Sequence, residues 1–165
     1  MVWGCFMGNK LGPIVSIDGS ISGDIYTTVL CDNLLPYLDA LARDGVTGIT
    51  FQQDNACIHT CKKAKAFFNI AMMEHGFTVI DDWPPYSPNM NLIENLWAHL
   101  KLELHRRYPD TATLSGSPQY IRSCIAERVH EVWWSIGEEV LNRLIDSMLD
   151  HVHALIKAQG WYMKY

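Results

Sequence analysis

One stretch limits the folds open to this chain more than any other: residues 46–106, where the hydrophobic pattern changes period from element to element. A β-prone run at 46–53, ending Ile49-Thr50-Phe51-Gln52-Gln53, is apolar enough for a central strand. A helical pattern follows at 58–75, with Gly76 in the position just past a helix end. A short strand at 77–80 comes next. After it, Pro84, Pro85 and Pro88 stiffen a loop, because proline rings fix φ and restrict the residues before them. A second helix runs from 92 to 105 or 106, with Ile93, Leu96, Trp97, Leu100 and Leu104 on one face. Strands alternating with helices in this way belong to the α/β class.

Each end of the stretch offers one carboxylate in a suggestive setting. Asp54 follows the first strand at its C-terminal end, and Glu94 lies in the first turn of the second helix. Open α/β sheets place their ligands beyond the carboxyl ends of strands. Two carboxylates brought there from separate elements hold a divalent metal through hard oxygen donors. Both residues also have a plainer reading. Asp54-Asn55 at a strand end is a turn signal. With Asn91 as N-cap, Glu94 falls at N3 and completes a capping box.

The flanking segments complete the architecture. Strands at 2–7 and 12–17, joined by Gly8-Asn9-Lys10, form a hairpin. Ser20 or Ser22 caps a helix carrying Tyr26, Val29 and Leu30 on one face. Pro36 kinks or divides that helix, and Asp44-Gly45 ends it. A polar loop at 108–118 leads to two helices. That at 119–135 buries Ile121, Ile125, Val129, Val132 and Trp133, and that at 138–158 buries Leu141, Leu144, Ile145, Met148, Val152 and Leu155. Gly137 separates the two, and Gly160 stops the second. The expectation is a single domain over 1–165, with an α/β core at 1–107 and a C-terminal helical pair at 119–158.

Composition narrows the classes. The hydrophobic content of 48% with six tryptophans is that of a globular chain. The net charge of −5 does not advertise a nucleic-acid binder, but the charge is uneven. Only Lys10 and Arg43 are basic up to Thr60. Lys62, Lys63 and Lys65, then Lys101, Arg106 and Arg107, cluster beside the two carboxylates, either as phosphate contacts or as solvated helix faces. Five cysteines without paired spacing argue against a disulfide framework and for a reducing compartment. Cys57, His59 and Cys61 invite a zinc reading; helical spacing with Ala64, Phe68 and Ala71 instead places both cysteines on a buried face. No secretory signal is read at the start of the chain, and no apolar run nears the roughly 18 residues of a membrane span.

Two motifs carry a family resemblance. Gln53-Asp54-Asn55-Ala56 followed by His59-Thr60, and then 82–101, DWPPYSPNMNLIENLWAHLK, resemble the catalytic core of the mariner-like (Tc/mariner superfamily) DDE transposases. The segments MVWGCF, 25–36 and LIDSMLDHVHALIKAQGWYMKY resemble family counterparts too, so the likeness covers nearly the whole chain. Asn89 stands where the family has Asp and Leu92 where it has Pro, and the spacing from Asp54 to Glu94 is a few residues longer than usual.

The resemblance implies an RNase H-like mixed sheet flanked by helices. It implies that Asp54 and Glu94 are the second and third members of an acidic triad, binding two Mg²⁺ or Mn²⁺ ions about 3.5–4 Å apart for cutting and joining DNA. The family's first Asp lies on the strand before its VWG segment, and here the sequence opens at Met1-Val2-Trp3-Gly4. The expectation is a truncated catalytic domain that lacks that first, central strand and the N-terminal DNA-reading region. Such a chain is inactive alone and binds DNA weakly and without specificity. It pairs with a second copy or a full-length transposase, and is nuclear if the host is eukaryotic. The alternative is a non-catalytic module that binds DNA or a transposase. Without the central strand, either Val2–Met7 moves against 46–53 or another chain completes the sheet.

Overall fold

A computed structural model describes residues 1–80, 83–84 and 90–158. The expected prolyl loop (at 81–82 and 85–89) and the Gly160 helix stop with its tail lie outside the described residues. The chain forms two compact units. The first comprises Met1–Cys5 and Gly12–Ser87, the second Phe6–Leu11 and Pro88–Tyr165.

At the start of the chain, β1 (Val2–Met7) and β2 (Lys10–Ser16) form the expected hairpin. Its open end is closed by an antiparallel pair: the Met1 ammonium donates to the Ile17 carbonyl at 3.0 Å, and the Ile17 N–H to the Met1 carbonyl at 2.8 Å. Gly12 makes room on β2. A Cβ there would lie 2.6 Å from Cys5 Sγ and 2.9 Å from the Cys5 carbonyl oxygen.

Helix α1 (Gly23–Val29) begins at Ser22, whose Oγ accepts from the Ile25 N–H at 3.3 Å. It buries Tyr26 and Val29. Pro36 does divide the helix, but the break comes one turn before it. The proline has no N–H for the Asp32 carbonyl, and Leu30–Leu34 widens into a π turn closed by the Leu35 N–H on the Leu30 carbonyl. Helix α2 (Leu35–Arg43) then starts with Pro36 in its first turn.

Three expectations about this part of the chain need correction. The strand read at 46–53 is reduced to β3 (Thr50–Phe51), which pairs in parallel with β4 (Thr78–Val79) in the register Thr50↔Thr78 and Phe51↔Val79. Gly48, at φ 68°, takes the backbone out of the extended region just before it, and β4 offers a ladder of only two residues. Second, β1 does not move against β3. Among the described residues the strands form two separate two-stranded sheets, β1 with β2 and β3 with β4. Third, the helix read from 58 begins later. Helix α3 runs over Lys62–His75 with Cys61 as N-cap, its Sγ accepting from the Ala64 N–H at 3.5 Å. Residues 57–60 are a separate turn in which the His59 and Thr60 N–H groups both donate to the Ala56 carbonyl. Cys57 is therefore exposed rather than part of a buried face, and Cys61 is half-buried. Gly76 ends α3 as expected, at φ 67° and ψ 33°, with its N–H on the Met72 carbonyl.

The core of the first unit joins the buried faces of α1, α2 and α3: Tyr26, Leu30, Leu34, Leu38, Leu41, Ala64, Phe68 and Ala71. The Phe68 ring meets Phe51 at 5.6 Å and Phe77 at 6.5 Å between centroids, fastening β3 and the approach to β4 onto α3.

The second unit is helical. It holds α4 (Leu92–Arg107), a 3₁₀ turn at Pro109–Thr113 inside the predicted loop, α5 (Pro118–Trp134) and α6 (Glu138–Lys157). Leu96, Leu100, Val129, Val132, Trp133, Val140 and Leu141 are buried, and Trp97 stacks on Trp133 at 5.4 Å. Arg128 fixes the 3₁₀ turn through Asp110 and Thr111 while lying 4.7 Å over the Tyr108 ring. No helix among the described residues is long and apolar enough to cross a membrane.

Candidate functional site

Asp54 is the best-built candidate. β3 ends at Phe51, and the following residues carry Asp54 past the strand's carboxyl end in the first unit. Its side chain is 46% exposed, yet one oxygen is held twice. Oδ1 accepts the Ala56 N–H at 3.0 Å, which closes an Asx turn. The same Oδ1 lies 2.6 Å from His59 Nδ1. A carboxylate oxygen only accepts, so the shared hydrogen belongs to Nδ1, which also lies 3.3 Å from the Asp54 carbonyl oxygen. The turn reading of Asp54 thus holds in part, and it engages one oxygen only.

Two further residues back this arrangement. The Tyr26 ring lies under His59, with centroids 4.9 Å apart and the planes tilted by 37°. The Tyr26 hydroxyl donates to Gln53 Oε1 at 2.5 Å, on the residue just before Asp54. Burial, then the Asp54 charge, holds the Tyr26 hydroxyl well above the ordinary phenol range, so it stays a donor. Sequence reasoning placed Tyr26 on a buried helix face and His59 in the motif and the cysteine–histidine cluster. It did not connect either with Asp54: His59 reaches Asp54 through a turn at 57–60 where a helix was expected, and Tyr26 meets His59 through tertiary packing.

Glu94 belongs to the second unit, so each carboxylate is described within its own unit. Asn91 is the N-cap of α4 and Glu94 is N3, exposed, with its N–H on the Asn91 carbonyl at 2.9 Å. The capping box is not made as expected, because the Asn91 side chain gives no cap bond. The negative charge still suits the positive end of the helix.

The zinc reading finds no support in the local chemistry. His59 Nδ1 is engaged by Asp54, and Cys61 Sγ caps α3. Among the described residues no group of three or more His, Cys, Asp or Glu side chains is placed to hold a metal ion. Of the basic clusters, Lys63 pairs with Asp24, and Arg106 and Arg107 pair with Glu103.

Comparison with known proteins decides the family. Residues 13–115 match the family described as DDE superfamily endonuclease, a span of more than half the chain. The chain belongs to this family. Its relatives include the Tcb2 transposase of Caenorhabditis briggsae, 31% identical over the whole chain, and the Tc1 transposase of Caenorhabditis elegans, also 31% identical. The Tc3 transposase of Caenorhabditis elegans is 30% identical. The chain spans about half the length of these relatives: 54% of Tcb2 and of Tc1, and 45% of Tc3. Two structures of the Mos1 mariner transposase catalytic domain share the fold. One, with raltegravir and Mg, has a TM-score of 0.68 at 15% identity, covering 92% of this chain and 70% of that one. The other has a TM-score of 0.64 at 14% identity, covering 98% and 80%. The chain is thus a DDE superfamily endonuclease domain of RNase H-like fold, similar to the Tc and mariner transposases that its motifs resemble.

Proposed function

We propose that this chain supplies two acidic residues, Asp54 and Glu94, to the divalent-metal site of a transposase that cuts and joins DNA. Family membership over residues 13–115 carries the reading, because Asp54 and Glu94 both fall within that span. The donor chemistry at Asp54 fits Mg²⁺ or Mn²⁺: a hard carboxylate oxygen, Oδ2, that no bond among the described residues uses, on a side chain 46% exposed. Bound there, such cations supply Lewis-acid stabilisation and activation of the attacking oxygen. The protein's own part is to hold Asp54 on the β3 end and Glu94 in the first turn of α4.

The 165 residues alone are inactive in this reading, because among the described residues no third ligating side chain is gathered with Asp54 or with Glu94 to complete a metal site. Purified chain is expected to show no Mg²⁺- or Mn²⁺-dependent nicking of supercoiled DNA. Metal-dependent nicking that vanishes in Asp54→Ala and in Glu94→Ala would overturn the inactivity while supporting the two ligands. In a cell with a nucleus the protein acts there, on DNA.

A second reading, a non-catalytic module that associates with another copy or with a transposase, is favoured by one observation. Among the described residues the strands form two separate pairs, and the edges of such short sheets are places where another chain can add a strand. Analytical ultracentrifugation is expected to show concentration-dependent association; a sharp monomer at all concentrations defeats this reading.

A further inference from the structure

We propose that His59 is a positioning residue for Asp54: its Nδ1–H, together with the Ala56 N–H, fixes the carboxylate by one oxygen and reserves the other for a divalent cation. The inference rests on the metal-site reading above and deepens it. Rotation about the last side-chain bond of an aspartate exchanges its two oxygens, so a single local hydrogen bond does not decide which of them faces outward. Asp54 has two donors, and both converge on Oδ1, at 3.0 Å from Ala56 N and 2.6 Å from His59 Nδ1. The Ala56 bond is internal to the turn and moves with it. The His59 bond is different, because the imidazole is braced from outside the turn.

That brace is continuous. His59 returns toward Asp54 because its own N–H and that of Thr60 donate to the Ala56 carbonyl, folding 57–60 back on the strand end. The imidazole then lies against Tyr26 at 4.9 Å. Tyr26 belongs to α1, is only 1% exposed, and is tied by its hydroxyl to Gln53. Gln53, Asp54, His59 and Tyr26 therefore form a closed ring of contacts, whose most exposed charged member is the Asp54 carboxylate. Histidine serves here for its shape: a flat ring to pack on Tyr26, and an N–H at the edge that meets the carboxylate. Aligned donors of this kind set the orientation of a metal-binding carboxylate, and their loss lowers metal affinity about 10–100-fold.

The test is Mn²⁺ binding to the full 165-residue chain, followed by electron paramagnetic resonance of the free ion, with thermal melts run alongside. Asp54→Ala is expected to abolish the tightest binding. His59→Phe, which keeps a ring on Tyr26 but has no N–H, is expected to lose affinity about 10-fold or more. His59→Asn, with a side-chain N–H close to the place of Nδ1, is expected to recover most of that loss even where its melt is lower. Recovery by Phe and not by Asn would show that the ring only packs, and would overturn the proposal. So would binding that depends on Asp54 but is untouched in both His59 variants. Binding that Asp54→Ala leaves unchanged, or no binding by the wild-type chain, defeats the metal-site reading and this inference with it. The separate Asp54 variant tells the two failures apart.

Discussion

At the scale of single residues, the region of Asp54 shows how much a motif reveals and where it stops. The text Gln53-Asp54-Asn55-Ala56 marked a turn at a strand end, and the Asx bond from Ala56 is the local part of that statement. The His59–Asp54 contact was not legible because 57–60 reads as helix but forms a separate turn, and the Tyr26 contact was not because Tyr26 comes from α1, 33 positions earlier than His59. Tyr26→Phe removes the buried hydrogen bond to Gln53. It is expected to cost about 1 kcal/mol in a urea melt; an unchanged midpoint would show that the bond is worthless to the fold. Buried thiol and phenol groups set an alkaline limit. Burial pushes the Cys5 thiol up to about 12 from 9.0, and burial, then the Cys5 charge, pushes the Tyr37 hydroxyl up to about 12 from 10.0. Tyr26 is raised as well. Each group keeps its proton in the folded chain and gives it up more readily in the unfolded one. Stability is therefore full below about pH 9 and falls as the pH rises through 9 toward 12. Cys5→Ala is expected to flatten the first part of that fall, measured as denaturant midpoints across the range.

At the scale of elements, the long helices and the hairpin were legible, and the extent of the strand at 46–53 was not. The pattern at 119–135 became α5 (Pro118–Trp134), and that at 92–106 became α4 (Leu92–Arg107), because a sustained apolar stripe has one period over many residues. A strand depends on its partner as well as on its own residues. Residues 46–53 are β-prone throughout, but Gly48 at positive φ and a two-residue β4 leave a ladder around Thr50 and Phe51 only. What fastens that short pair is the ring of Phe68. Phe68→Ala is expected to cost about 3–5 kcal/mol, since it empties the contacts to Phe51, Phe67 and Phe77 at once. Hydrogen exchange at Phe51, Thr78 and Ile80 is the matching local readout; protection there that survives the substitution would contradict this account. On the hairpin, Gly12→Ala is expected to cost about 1–3 kcal/mol, because the new Cβ meets both the Cys5 sulfur and the rigid Cys5 carbonyl.

At the scale of the whole molecule, the question is how a chain of net charge −5 meets DNA. The sequence drew attention to two basic clusters, and the structure reduces what they offer. Lys63 is committed to Asp24, and Arg106 and Arg107 to Glu103. Among the described residues Lys62, Lys65 and Lys101 are exposed and hold no ion pair. Surface pairs of this kind are weak, but each still lowers the gain from exchanging a carboxylate for a phosphate. Affinity for duplex DNA comes largely from counterions released by lysines and arginines at phosphates, and log K falls with log salt by about 0.9 for each such contact. The three available lysines of these clusters therefore account for a slope of about −3, and exposed Lys10, Arg43, Arg143 and Lys157 lie outside the clusters. Fluorescence anisotropy of labelled duplexes from low to physiological salt is expected to give a slope near that value if the clusters carry the contacts. Binding is expected to be weak at physiological salt and equal for unrelated sequences. Lys62→Ala and Lys65→Ala should each reduce the slope by roughly one. A slope much steeper than −3 would mean that basic residues beyond these three lysines reach phosphate; a reduction in Arg106→Ala would assign part of it to the paired arginines. A nanomolar preference for one sequence at physiological salt would show direct base contacts and would defeat the expectation of non-specific binding.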